Sequence, residues 1–155
     1  MRYAILIRYC LLVAFIAISI SSCKKSGNYT KSLIGNWNEP AMPSGFRRNL
    51  VFYSDGTFTA AFTTYPSPLS GGISFTITTS YSGTFTVKGD SLLTNITTMA
   101  EQENTSTPVT SPSTQKLYEY ATFKVSGNTL MLKYTTYPAD APVATEAKFT
   151  RVLPD

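Results

Sequence analysis

From residue 33 to the C-terminus, apolar and polar side chains alternate in short runs that are separated by turn residues. An alternation with a period of two predicts strands that bury one face, and no longer stretch keeps the spacing of an amphipathic helix. Three pairs of runs are joined by tight, glycine-containing turns, which indicates antiparallel hairpins. The pattern therefore predicts an all-β domain.

The turns also predict the register of the three hairpins. At Ser54-Asp55-Gly56 both a two-residue and a three-residue turn are compatible with the sequence. The three-residue turn, with Gly56 in the left-handed conformation, is preferred because it collects the large apolar side chains on one face. The opposed pairs expected from the three turns are Phe52 with Phe58, Val87 with Leu92, Phe123 with Leu132 and Val125 with Leu130.

Proline-rich and polar segments separate the predicted strands. The first strand is expected over 33–37, and the last over 145–153. Residues 104–115 are polar and contain two prolines, so they are expected to form an exposed, mobile loop. The count is about eight antiparallel strands, which favours an up-and-down β-barrel, because closure leaves no exposed sheet edge. An immunoglobulin-like β-sandwich is the alternative that the same count permits.

The N-terminal segment has the order of a secretory signal. Arg2 and Arg8 form a short positive region, and residues 9–20 are almost continuously apolar. This apolar run is shorter than the roughly 20 residues that a membrane-spanning helix requires. Residues 1–22 are therefore interpreted as a cleaved signal peptide rather than a transmembrane anchor.

The segment that closes the apolar run is Ile20-Ser21-Ser22-Cys23. It resembles the lipobox of bacterial lipoproteins, in which an aliphatic residue and two small residues precede the modified cysteine. The resemblance implies lipidation of Cys23, which would become the first residue of the mature chain. Two or three acyl chains hold a protein firmly to a membrane, at about 0.8 kcal/mol per buried methylene.

Residues 23–31 are polar and are interpreted as a flexible tether that leads to a domain at 32–155. Lys24 stands where inner-membrane lipoproteins often have aspartate, and the acidic run common in surface-exported lipoproteins of Bacteroidota is missing. The expected location is therefore the outer membrane, with the protein facing the periplasm.

The composition excludes several classes of function. The chain has no histidine, and its two cysteines are Cys10 and Cys23, so neither a Ser-His catalytic pair nor a thiolate metal site is expected. Arg2 and Arg8 account for two of the 13 basic side chains, which leaves 11 scattered ones against 9 acidic ones. No basic stripe for nucleic acid is visible. The protein is predicted to be neither an enzyme nor a cofactor carrier.

Four motifs in order resemble the lipocalin-like domains of Bacteroidota lipoproteins. They are Gly35-x-Trp37, Phe52-x-x-Asp55-Gly56-Thr57-Phe58, the run from Gly83 to Leu92, and Val125-x-Gly127-Asn128-Thr129-Leu130. The resemblance covers most of 32–152 and implies a small β-barrel. It implies no particular ligand and no catalytic residue.

Aromatic side chains are the candidate binding residues, because they combine large apolar faces with polar tips. Packing in the core is the alternative explanation for each of them. The candidates are Trp37, Phe52, Phe58, Phe85, Phe123 and Tyr134. The expected function is a lipid-anchored binding module for a small hydrophobic or glycan ligand. The alternative is a structural or partner-binding envelope lipoprotein with a filled barrel. Asp90-Ser91-Leu92 also resembles a short O-glycosylation signal, with Ser91 as the acceptor.

Overall fold

The computed structural model describes residues 26–40, 45–66, 75–136 and 141–153. Within these ranges a single helix, α1 (Ser26–Leu33), precedes nine strands. The strands are β1 (Gly35–Asn38), β2 (Phe46–Phe52), β3 (Thr57–Thr64), β4 (Ile77–Lys88), β5 (Ser91–Glu103), β6 (Val109–Pro112), β7 (Glu119–Ser126), β8 (Thr129–Thr136) and β9 (Val143–Val152).

Eight of the strands close into an antiparallel barrel. Its order is β1-β2-β3-β4-β5-β7-β8-β9, and the ring closes where β9 pairs with β1. The ninth strand, β6, pairs only with the far part of β5. The predicted barrel is confirmed, and the closed ring excludes the alternative of two stacked sheets.

The predicted hairpin registers are also confirmed. Phe52 lies opposite Phe58, and Gly56 has a φ of 86°, the left-handed conformation that the three-residue turn requires. The other predicted pairs, Val87 with Leu92, Phe123 with Leu132 and Val125 with Leu130, are present as well.

The structure differs from the sequence-based expectation in two segments. The loop predicted over 104–115 contains β6, whose residues pair with Thr98–Glu101 of β5. Because Val109 is exposed, β6 has no buried face, and alternation gives no signal for such a strand. The first strand begins at Gly35, later than predicted, because α1 extends through Leu33 and includes most of the segment interpreted as a flexible tether. Residues 23–25 lie outside the described residues.

The barrel has two unlike ends. The turn end carries the short β2–β3, β4–β5 and β7–β8 connections, and the loop end carries the longer β1–β2, β3–β4 and β8–β9 connections. The turn end is filled by Trp37, Phe52 and Phe58, all almost completely buried. The ring of Phe52 stacks on Phe58 at 5.8 Å between centroids and meets the edge of Phe85 at 5.0 Å. Every strand and every buried side chain described lies between residues 33 and 152, so the barrel holds its own core.

Helix α1 is fixed to the turn end by Arg151. The guanidinium lies 4.1 Å from the centroid of the Trp37 ring and donates to the carbonyls of Ser32 and Ile34 at 2.6 and 2.7 Å. The Trp37 indole N–H donates to Leu33 O at 2.8 Å. Gly35 has a φ of 137°, and a Cβ there would lie 2.5 Å from an Arg151 nitrogen. The Gly-x-Trp motif therefore leaves room for the arginine that covers the tryptophan.

None of the described residues belongs to a helix with the length and apolar character needed to cross a bilayer.

Candidate ligand-binding site

The described side chains at the loop end of the barrel leave open space between them. Two adjoining cavities of about 370 and 300 Å³ lie there, and both are lined by Phe62 and Leu117. We call them together the loop-end cavity. Volumes of this size are at the lower end of those that hold small ligands in proteins.

One wall of the loop-end cavity is apolar and aromatic. Phe46 and Phe62 lie 6.3 Å apart between ring centroids, and Tyr81 meets Phe62 edge-on at 5.8 Å. These side chains, with Ile77, come from the inward-facing positions of β2, β3 and β4 at the loop end. The wall offers the flat apolar surface that favours an uncharged organic ligand.

The polar side of the cavity is built around a buried ion pair. Arg48 binds Glu39 through two hydrogen bonds, Nε to Oε2 at 2.7 Å and Nη2 to Oε1 at 2.5 Å. The two side chains are only 13% and 7% exposed. The remaining Arg48 nitrogen donates to the Tyr134 hydroxyl, and the guanidinium lies 5.7 Å from the Phe149 ring centroid.

The environment of Arg48 keeps it charged. Burial by itself would lower the pKa of this guanidinium, but the hydrogen bonds to Glu39 and Tyr134 outweigh it and raise the pKa above its usual range. Since the charge is balanced by the Glu39 carboxylate, the polar side presents a neutral pair rather than a positive site.

The buried side chain of Tyr118 lies beside this ion pair. Its ring meets Tyr134 edge-on at 4.9 Å, and among the described residues its buried hydroxyl has no hydrogen-bond partner. Burial raises the pKa of the Tyr118 phenol well above its usual range, and the nearby charge of Arg48 offsets this only in part. A buried hydroxyl without a partner is rare, and it is costly unless something binds it.

Tyr118 and Leu117 reach the cavity on a segment that crosses the barrel wall. We call this segment, residues 113–118 between β6 and β7, the strap. Strand β5 pairs with β7 only at Ser91 and Leu92. Beyond Leu92 the strap lies beside β5 in place of β7, and the Thr94 hydroxyl donates to Leu117 O at 2.6 Å. A further cavity of about 380 Å³ lies along the strap, between it and β5. Tyr118 has a φ of 55°, so the segment is held in a strained conformation.

The structure separates the six aromatic candidates into two groups. Tyr134 lines the loop-end cavity. The other five lie in the packed core and line neither loop-end cavity; they are Trp37, Phe52, Phe58, Phe85 and Phe123. Cys23 lies outside the described residues. Ser91 begins β5 and is only partly exposed.

Four residues that line the cavity were not anticipated from the sequence, namely Arg48, Phe62, Leu117 and Tyr118. The pairing of Arg48 with Glu39 was not anticipated either. Arg48 lies two and four residues before Leu50 and Phe52, so a strand that begins at Phe46 places all three side chains on the same, inward face. A strand prediction extended to Phe46 would therefore have predicted an inward-facing charge. Leu117 and Tyr118 follow no alternating pattern, and sequence periodicity gives no indication of them.

The acidic residues that the structure describes do not form a cluster suited to metal binding. Within the described ranges, no group of three or more Asp, Glu or Cys side chains is placed to hold a metal ion. The Asp55 carboxylate accepts from the hydroxyl and the backbone N–H of Thr57, which lowers its pKa and accounts for its place in the turn.

Removing the Tyr118 hydroxyl and removing the Tyr134 hydroxyl are expected to change the stability of the protein in opposite directions. Tyr118→Phe deletes a buried hydroxyl that has no partner among the described residues, so the free energy of unfolding should rise by about 1 kcal/mol. Tyr134→Phe deletes an acceptor of Arg48 and should lower it by about 1–3 kcal/mol. Urea denaturation followed by Trp37 fluorescence measures both. Equal losses in the two variants would show that Tyr118 has a partner within the folded chain.

Comparison of the chain with protein-family models, curated proteins and solved structures found no match.

Proposed function

We propose that this protein is a lipid-anchored lipoprotein of the cell envelope whose barrel binds a small hydrophobic or glycan ligand without catalysing a reaction. The observation that carries the proposal is the unequal filling of the barrel. The turn end holds the buried aromatic cluster of Trp37, Phe52 and Phe58, whereas the loop end holds a cavity with an aromatic wall and a polar side. A barrel that served only as a scaffold would gain stability by filling this space.

The contents of the cavity support binding rather than catalysis. The buried charge that lines it, Arg48, is engaged with Glu39, and burial raises the pKa of its Tyr118 phenol well above the usual range. Groups of this kind orient a ligand through hydrogen bonds but supply neither a nucleophile nor a general base.

Attachment to the membrane is proposed through acyl chains on Cys23, on the strength of the lipobox. Helix α1 enters β1 at the turn end, where Arg151 fixes it. The anchor would then join the barrel at the end opposite the cavity, which leaves the loop end directed away from the membrane. The likeness to lipocalin-like lipoproteins of Bacteroidota and the lysines after Cys23 favour the outer membrane, on its periplasmic face.

Lipidation is tested in cells by intact mass. The native protein should partition into the detergent phase and have the mass of the chain from Cys23 plus a diacylglyceryl group and an acyl chain. Cys23→Ser should abolish both properties. A native mass equal to an unmodified chain would refute the anchor and leave the cavity proposal standing.

Binding is tested with N-phenyl-1-naphthylamine, a neutral apolar fluorophore whose emission rises in apolar surroundings. The chain from Lys24 onward, which contains the whole described barrel, should bind it saturably, with a dissociation constant in the micromolar range. Thr79→Trp places bulk at an inward position in the cavity and should weaken binding at least about tenfold.

The matched control is Ser80→Trp on the outer face of the same strand, since side chains alternate along β4. It should leave the dissociation constant within about twofold, and thermal unfolding establishes that both variants fold. Saturable binding that is equally strong in Thr79→Trp would place the fluorophore elsewhere, and no saturable binding would refute the function.

A partner-binding envelope protein is the second candidate, and one feature favours it. Leu93 and Tyr120 are 58% and 78% exposed, and both line the cavity of about 380 Å³ between the strap and β5. Photocrosslinking from position 120 in intact cells distinguishes the two functions. A single discrete adduct, together with no fluorophore binding, would favour the partner-binding function.

A further inference from the structure

We infer that the ligand of the loop-end cavity is a neutral amphiphile, with an uncharged hydroxyl or carbonyl head beside Tyr118 and an apolar body against Phe62 and Tyr81. The inference rests on the proposed function and narrows it. It excludes free fatty acids and other organic anions, which a buried arginine would otherwise suggest.

The charges that line the cavity are already paired. Among the described residues, its cations are Arg48 and Lys116. Arg48 is held by two hydrogen bonds to Glu39, and Lys116 Nζ lies 3.0 Å from a Glu119 oxygen. A ligand carboxylate would have to displace a protein carboxylate, or be buried beside one.

Displacing Glu39 from Arg48 would cost more free energy than displacing Glu119 from Lys116. Glu39 is 7% exposed, and its backbone is fixed by a hydrogen bond from its N–H to Arg48 O at 3.0 Å. A carboxylate moved off Arg48 in this position would remain buried without a counter-charge, which costs several kcal/mol. A neutral head requires no such exchange.

Tyr118 supplies the hydrogen bond that a neutral head needs. Its buried hydroxyl has no partner among the described residues, and its phenol stays protonated, so it donates to an oxygen without any change of charge. The neighbouring Tyr134 hydroxyl is already engaged, since it accepts a hydrogen bond from Arg48. The ion pair thus orients the Tyr134 phenol, and the Tyr118 phenol is left to bind the ligand.

The apolar, aromatic wall of the loop-end cavity accommodates the apolar body of the ligand. Phe46, Phe62 and Ile77 line the second cavity, in which no charged side chain is present among the described lining residues. A chain or ring system placed there buries apolar surface at about 25 cal/mol per Å². The site therefore separates a region with an ion pair and a buried phenol from a region whose described lining is uncharged and mainly aromatic and aliphatic, as a neutral amphiphile requires.

Two probes with the same chain and different heads test the inference. 1-Decanol and decanoate are titrated at neutral pH against the chain from Lys24 onward carrying N-phenyl-1-naphthylamine, below the concentration at which either aggregates. Decanol should displace the fluorophore with an apparent affinity at least about tenfold higher than that of decanoate. Equal displacement, or preference for decanoate, would overturn the inference.

Tyr118→Phe gives the second readout. It should weaken decanol binding about fivefold and leave the affinity for the fluorophore, which has no oxygen, within about twofold. Tyr53→Phe, on an exposed tyrosine, should change neither value. If the fluorophore binds and decanol does not displace it, or if Tyr118→Phe has no effect on decanol, the neutral-head inference is wrong and the cavity still binds. Absence of fluorophore binding would refute the proposed function itself, and the inference with it.

Discussion

Gly83→Ala is expected to lower the free energy of unfolding by about 3 kcal/mol or more, and to leave the chain mostly unfolded in mild denaturant. An ideal Cβ at Gly83 would lie 1.9 Å from Asn95 O and 2.9 Å from Ile96 Cα. Both are backbone atoms of β5, so no side chain can rotate away to make room.

The reason for this close approach is a bulge in the barrel wall. Ser82 pairs with Thr98 and Gly83 pairs with Ile96, so Thr97 is an extra residue on β5. A bulge bends the strand that carries it, which allows the long β4–β5 hairpin to follow the curvature of the barrel. An added methyl group would have to separate the two strands where the wall bends.

Gly89→Ala is the control for this prediction. Gly89 has a φ of 63°, and a Cβ there would meet nothing within 4 Å. Its replacement should cost only about 1–2 kcal/mol, the penalty of a left-handed conformation for a residue with a side chain. Urea denaturation measures both variants, and a loss at Gly83 no larger than at Gly89 would contradict the steric argument.

Much of the fold is predictable because the hairpins are local. Gly56, Gly89 and Gly127 mark turns that require a left-handed backbone conformation, and each turn positions the strands on both sides of it. With three registers known and one face of each strand apolar, an antiparallel all-β fold is predictable, whereas the strand count alone permits both a barrel and a sandwich.

The parts that escaped prediction depend on contacts between distant residues. Strand β6 has no buried face and is held by backbone pairing to β5, so its own side chains carry no signal. Arg151 covers Trp37 from more than a hundred positions away along the chain. The cavity likewise depends on the strap, which is placed by the narrow β5–β7 pairing rather than by any local motif.

Glu39→Gln is expected to lower the free energy of unfolding by about 3–5 kcal/mol, although it alters very little volume. Arg48 would remain charged and buried, with its main counter-charge removed. The exposed ion pair of Lys133 and Glu146 provides the control, since its side chains are 65% and 50% exposed and 3.3 Å apart. Glu146→Gln should cost less than about 1 kcal/mol. Similar losses in the two variants, measured by urea denaturation, would show that burial does not set the strength of the Arg48 pair.

The same substitution should reverse the preference of the cavity for a ligand head. With Glu39 neutral, Arg48 becomes an unpaired cation on the polar side, and an incoming carboxylate would replace the missing counter-charge. Decanoate should then displace the fluorophore better than decanol, and it should raise the unfolding midpoint of Glu39→Gln more than that of the native chain, since a ligand stabilises the state that binds it. If Glu39→Gln folds in the cold and still prefers decanol, the Arg48–Glu39 pair does not determine the charge of the ligand.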